Sequence, residues 1–185
     1  MRIIAGKARG AQLFSPKGLD TRPTLDRIKE SLFNIIASDI PDAQVLDLFA
    51  GSGALGLESI SRGADSAIMV DMDKLAQSCI KRNIEKLHFE MQASLLPCSY
   101  GQALDRLEKE GKAFHLVFLD PPYRMEVLAD IAQLLHEKRL LHQEALLVLE
   151  HSHHYTPCLS DNFALESVRN YKETIIHLYR YGGKS

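Results

Sequence analysis

The chain has no C-x-x-C pair, and its three cysteines, Cys79, Cys98 and Cys158, are odd in number and far apart. That excludes a disulfide framework and a structural zinc site of the usual cysteine type. His151, His153 and His154, in EHSHHY, are the one metal-like cluster, but no cysteine or paired carboxylate is spaced to complete it. No metal is expected. No apolar run approaches the roughly 18 residues of a membrane span, so no membrane partner is expected. The start, MRIIAGKARG, lacks the apolar core of about 7–15 residues found in a secretory signal. The expected location is therefore the cytoplasm. There is no internal repeat and no low-complexity segment. What remains, at 185 residues with 45% apolar and 25% charged side chains, suits one globular domain with a small appendage, expected to be a monomer although the sequence does not reveal the oligomeric state.

A net charge of −2 gives little hint of a polyanionic partner, but the charge is unevenly spread. Residues 1–29 carry Arg2, Lys7, Arg9, Lys17, Arg22, Arg27 and Lys29 against Asp20 and Asp26, a net +5, which leaves −7 for the rest. A basic arm on an acidic body is the distribution expected where one edge meets phosphate. Apolar segments 2–5 and 11–14 flank GKARG and predict a hairpin, followed by the turn-rich SPKGLDTRP. Residues 1–23 are thus expected to form a basic, phosphate-docking hairpin and linker, and residues 24–185 the main domain. Thr24 is placed to cap a helix whose apolar positions Leu25, Ile28, Leu32 and Ile35 or Ile36 recur at helical spacing.

From residue 44 the apolar runs QVLDLF, SAIMVD, ASLLPC, FHLVFLD and EALLVLE alternate with helical stretches at about 54–61, 73–87, 101–109 and 125–138. Near-continuous apolar strands between helices predict an α/β fold, with a parallel sheet covered on both faces. ALESVRNY and TIIHLYRY follow in close succession, so a mostly parallel seven-stranded sheet ending in an antiparallel hairpin is expected. Such sheets bind ligands beyond the carboxyl ends of their strands. Asp47, Asp71, Ser99 and Asp120 all fall there.

In LDLFAGSGALG, Gly51, Gly53 and Gly56 fit the dinucleotide fingerprint, with Asp71 about 20 residues on, where that fingerprint wants an acid. Asp47 argues for a different ligand. A carboxylate four residues before the first glycine opposes a pyrophosphate, which needs helix-end N–H groups and no nearby anion. It attracts an ammonium or sulfonium group, and S-adenosylmethionine carries both. Asp71 can then accept two ribose hydroxyls. DPPY, residues 120–123, follows the strand FHLVFL. Consecutive prolines fix the backbone and remove two N–H donors, leaving carbonyls as acceptors. The Asp120 carboxylate and the Pro121 carbonyl can each take one N–H of an exocyclic amine on a base, Pro122 stiffens the turn, and Tyr123 can stack on the ring.

D/N-P-P-Y/F after the fourth strand, with a D-x-F-x-G-x-G loop after the first, resembles the amino-methyltransferases that modify exocyclic nitrogens. RIIAGKARGAQL, TRPTLDRIKESLFN and VLDLFAGSGALGLESISRGA resemble the RsmD-type bacterial methyltransferases of small-subunit ribosomal RNA, and the closing YKETIIHLYR resembles that family's last strand. The resemblance implies a Rossmann-like class I methyltransferase fold, S-adenosylmethionine as cofactor, and methylation of N2 of a guanine in 16S rRNA, conventionally numbered 966, within the RNA or the assembled small subunit. By the same likeness Asp47, Phe49, Gly51, Gly53, Asp71 and Met72 hold the cofactor, Asp120, Pro121, Pro122 and Tyr123 hold the base, and Arg9, Arg22, Arg27 and Asn34 meet RNA. Ser99 or its backbone is the candidate on the adenine side, where the family usually offers an amide or acid. Ala11 stands where the family often has arginine, and Tyr123 where phenylalanine is common. DPPY alone does not separate guanine from adenine. An adenine-N6 methyltransferase of RNA or DNA and a non-catalytic RNA-binding assembly factor are the alternatives, and a dehydrogenase ranks below them.

Overall fold

The computed structural model describes residues 1–16, 23–122, 125–171 and 174–182. Arg22 and Tyr123 therefore lie outside the described residues. The strands are β1 (Gln44–Asp47), β2 (Ser66–Val70), β3 (Ala93–Leu96), β4 (Phe114–Leu119), β5 (Leu141–His151), β6 (Phe163–Asn170) and β7 (Ile175–Tyr181). The helices are α1 (Pro23–Ile35), α2 (Ala54–Ser61), α3 (Lys74–Leu87), α4 (Tyr100–Lys109) and α5 (Leu128–Glu137). One seven-stranded sheet runs β3-β2-β1-β4-β5-β7-β6. Strands β3 to β5 are parallel, while β7 is antiparallel to both β5 and β6.

Alternation along each strand sorts the core into two layers. Val45, Leu116, Phe118, Val148 and Leu178 pack with α1, α2, α3 and the arm, whereas Leu46, Val117, Leu119, Leu147 and Tyr179 pack with α4 and α5. The terminal hairpin forms as the sequence predicts, but its second strand takes the inner position. TIIHLYRY has four consecutive buried residues in β7, whereas β6 is exposed along most of its length. The more apolar strand thus fills the place beside β5.

Three local expectations change. Helix α1 starts at Pro23, so Thr24 lies inside it rather than at its cap; proline suits a first helical position, where no N–H is needed. Helix α5 begins at Leu128, three residues later than the apolar pattern suggests. The N-terminal hairpin is reduced to one antiparallel bridge, Arg2 with Gln12. Its backbone turns elsewhere: Ile4 and Ala5 N–H donate to the Glu58 carboxylate at 2.7 and 3.0 Å, and Lys7 N–H donates to the Ser61 carbonyl at 2.8 Å. The arm is a strap over α2 in place of a free ribbon.

Candidate active site

Asp47 ends β1, Asp71 follows β2, and Asp120 follows β4, so the three acids gather at one edge of the sheet. Asp47 is buried, and its Oδ2 accepts from Gly56 N at 3.2 Å. Burial pushes its carboxyl up to about 7, against the pull of that N–H, and the neighbouring Asp71 adds to the rise. An acid this poorly solvated gains most from a cationic partner.

Gly51 and Gly53 both adopt left-handed backbone, at φ 56° and 78°, but for different reasons. A Cβ on Gly53 would come within 2.7 Å of Met69 Sδ, and one on Gly56 within 3.0 Å of Met69 Cγ. Those two glycines let α2 sit against β2. A Cβ on Gly51 would meet no protein atom, which leaves that turn facing open space beside Asp47 and Asp71. No packing contact requires a glycine there; the left-handed backbone does. Asp71 fixes the turn, since its Oδ2 accepts from Gly51 N and its Oδ1 from Asp73 N, both at 2.8 Å. Each oxygen still has lone-pair capacity for a hydroxyl.

Met72 is 74% exposed beside Asp71, so an apolar side chain stands in solvent at the rim. Phe49 is half-buried and packs on Tyr100 with ring centroids 5.7 Å apart. Ser99 caps α4: its Oγ accepts from Gln102 N at 3.4 Å, and Gln102 Oε1 takes Ser99 N–H in return. A helix cap accounts for a serine at this point.

On β4 the half-buried Asp120 and the buried Pro121 continue the strand outward. Met125 N donates to the Pro122 carbonyl at 2.8 Å. Among the described residues, the Pro121 carbonyl accepts no backbone hydrogen bond and stays available. The Asp120 carboxyl lies well above the ordinary range because of burial, with Glu150 and then Asp47 adding repulsion. Asp47 pairs in register with Phe118, two residues before Asp120. The ligand turn on β1 and the acceptors on β4 are therefore on adjacent strands.

The basic residues form a separate region on the same side of the sheet. Arg2, Arg9 and Arg27, with Asp26 and Glu30, line an open cleft of about 480 Å³ between the arm and α1. Arg9, Arg27 and Asn34 are exposed, and Asn34 is two turns beyond Arg27 along α1. Arg27 thus belongs to the arm's cleft. His151 is buried, while His153 Nε2 meets the Tyr171 carbonyl and His154 is exposed, so the three histidines do not converge. No group suited to a metal ion occurs among the described residues. Nor is any described helix long and apolar enough to cross a membrane.

Two residues joining arm and loop escape sequence reading. Glu58, fully buried on α2, accepts the arm's N–H groups and pairs with Lys29 at 3.1 Å and Arg62 at 2.8 Å. Asn83 on α3 accepts from Phe14 N at 2.8 Å and donates to the Phe14 and Ser52 carbonyls, binding the arm to the glycine loop. Polar residues inside otherwise amphipathic helices are the only trace of this in the sequence.

The model of the family described as "Conserved hypothetical protein 95" matches residues 1–180. Ribosomal RNA small subunit methyltransferase D of Escherichia coli K12 is 40% identical over 150 residues, 81% of this chain and 74% of that protein. The chain belongs to this family. The Haemophilus influenzae protein of the same name is 37% identical, covering 81% of this chain and 78% of its own. Among solved structures, the Escherichia coli yhhF protein superposes with a TM-score of 0.86 at 36% identity, covering 100% and 99% of the two chains. The hypothetical protein TTHA0928 of Thermus thermophilus gives 0.80 at 32% identity, covering 96% and 98%. The family's fold is the Rossmann-like class I methyltransferase sheet, as observed here.

Proposed function

We propose that the protein transfers a methyl group from S-adenosylmethionine to the exocyclic N2 of a guanine in the 16S rRNA of the small ribosomal subunit. The observation that carries this reading is the pairing of β1 with β4. It sets a buried acid and an open glycine turn directly beside the Asp120–Pro121 acceptors. Relatives at about 40% identity bear the name of an rRNA small subunit methyltransferase. The more distant fold neighbour SMU.776, at 14% identity, was solved as a complex with SAH.

S-adenosylmethionine, when bound, supplies an electrophilic methyl on a sulfonium sulfur. Asp47 faces the cationic methionine part, Gly51 and Gly53 let the backbone approach it, and Asp71 takes ribose hydroxyls. Phe49, Met72 and Ser99 border the adenosine side. Asp120 and the Pro121 carbonyl accept the two N–H groups of the target amine, while Pro122 holds the turn and Tyr123 stacks on the ring. Held in this way, the amine nitrogen loses conjugation with the ring and turns its lone pair outward. As the N–CH3 bond forms, the S–CH3 bond would break to leave a neutral thioether, and the surplus N2 proton would pass to Asp120. Catalysis then comes mainly from positioning and fixed dipoles. The base must leave its stack to reach this edge, at a cost of a few kcal/mol. Arg9, Arg22, Arg27 and Asn34 hold the surrounding RNA.

Methyl transfer to small-subunit RNA from cells lacking the protein tests this. Mass spectrometry should place one new methyl on guanine N2. A methyl on adenine N6 would replace the reading, and no transfer to any RNA would favour a binding role. Asp120→Ala should lower kcat by at least about 10²-fold with little change in cofactor Kd.

A further inference from the structure

A second acid stands beside Asp120 and has no part in the chemistry above. Glu150 lies near the end of β5, and the parallel register pairs Leu119 with Leu149, which makes Asp120 and Glu150 the next rung. Alternation turns both toward the face that holds Phe118 and Val148, the same face as Asp47 and the basic cleft. Phe33 of α1 packs on Phe118 at 5.8 Å, so α1 and its exposed basic residues roof this end of the sheet.

No described lysine or arginine pairs with either acid. Among the described residues neither has a cation beside it, and two adjacent half-buried carboxyls repel one another and are costly unless a donor-rich ligand joins them. One donor is built in. Thr174, just before β7, holds its hydroxyl 3.0 Å from Glu150 Oε1 and 3.2 Å from the His151 carbonyl. That hydroxyl favours the ionised, accepting form of Glu150, opposing the burial that raises its carboxyl.

We infer that Glu150 is a specificity-determining residue that accepts the ring N1–H of the target guanine, next to the amine held by Asp120. The inference rests on the methyl-transfer reading above and answers what DPPY leaves open. Guanine presents two neighbouring donors, N1–H and the N2 amine, to two neighbouring acceptors. Adenine presents its amine beside an acceptor, N1, which has no hydrogen for Glu150 to accept. A site built to hydrogen-bond a group discriminates strongly against a base lacking it.

The test uses 16S rRNA carrying either guanine or 2-aminopurine at the methylated position, offered naked and in reconstituted small subunits. 2-Aminopurine keeps the N2 amine but has an acceptor at N1. Wild-type protein should prefer guanine in kcat/KM by about 30-fold or more, and Glu150→Gln, whose amide can also donate, should reduce the preference to about threefold or less. Thr174→Val should narrow it in the same direction by less. Melting of Glu150→Gln should be unchanged or raised, because a like charge beside Asp120 is gone. If wild type methylates guanine N2 but both variants keep its preference, Glu150 does not read N1 and this inference alone falls. If wild type methylates adenine N6, the guanine reading falls and takes the inference with it.

Discussion

Lys29 Nζ lies 3.1 Å from Glu58 Oε2, an ion pair between α1 and α2 in which neither side chain is more than 6% exposed. Burial pushes the Lys29 ammonium down and Glu58 pulls it back up. Glu58 also receives Arg62 and the arm's two N–H groups, so it is the better satisfied partner. Removing it leaves a buried ammonium with only the Arg2 carbonyl to donate to, and two N–H groups without acceptors. Glu58→Ala should therefore cost about 3–5 kcal/mol of stability. Lys29→Met should cost less, since Glu58 keeps its other donors. Urea denaturation of both variants checks the order.

Gly6 makes the arm's attachment to α2 sensitive to a single methyl group. Its φ is +81°, and a Cβ there would overlap the Ser61 carbonyl oxygen, which Lys7 N–H also uses. Gly6→Ala should lose about 2 kcal/mol or more, from left-handed strain and the displaced strap together. RNA affinity should fall with it, while calorimetry should find the cofactor Kd near wild type. A variant with wild-type melting and RNA affinity would show that the strap can shift freely.

The sequence made the parallel sheet legible because five apolar runs are long, continuous and separated by helical periods. It made Asp47, Gly51, Asp71 and Asp120 legible because each sits at or just after a strand end, where such sheets bind ligands. Glu58 and Asn83 were not legible, since their partners Ile4, Ala5 and Phe14 are more than 50 residues away. The arm pairs only at its base, through Ile3 N–H to the Ala11 carbonyl and Leu13 N–H to the Met1 carbonyl, because beyond it the N–H groups of Ile4, Ala5 and Lys7 go to α2. Glu150 was hidden inside EALLVLE, where it reads as the polar end of a strand until its neighbour across β4 is known.

Asp71 secures the glycine turn through Gly51 N and Asp73 N, and in the proposed site it also meets the ribose. Asp71→Ala should weaken S-adenosylmethionine by about 2–3 kcal/mol, the scale of hydrogen bonds to a charged group. Titration calorimetry measures this directly. Wild-type affinity in the variant would sink the ribose assignment.

Asp47 gives the protein a pH dependence of known sign. Its carboxyl moves from the ordinary 3.8 to about 7 in the fold, so the folded state holds the proton more tightly than the unfolded chain. Stability from this group is full below about pH 4 and is lost as pH rises to about 7, after which it levels off. Asp47→Asn removes this loss while Asp120 and Glu150 remain. Without cofactor, the variant should melt above wild type at pH 8, with the gap closing toward pH 4. Cofactor affinity should move the opposite way: it rises with pH through about 7 in wild type, because a cationic ligand favours the ionised acid. In the variant it should be weaker and flatter. Melting curves and calorimetry across pH 4–8 would refute the assignment if the two proteins ran parallel.

In the proposed function the cleft between the arm and α1 docks RNA through charge, which has a distinct signature. Arg9 and Arg27 are exposed and pair with no described carboxylate, so their reversal disturbs little of the fold. Each RNA phosphate they neutralise releases counterion, contributing about 0.7–0.9 to the slope of log K against log salt. Arg9→Glu with Arg27→Glu should raise the RNA Kd steeply at low salt and flatten that slope by about 1.4–1.8. Cofactor Kd and melting temperature should stay near wild type, which separates lost docking from lost folding. The effect should also be the same for RNA carrying guanine or 2-aminopurine at the target, because phosphate contacts hold the RNA in register without reading the base. If binding and its salt slope survived the double reversal, the +5 arm would be a solvated face, and the RNA would have to dock through another surface around the Asp120 edge.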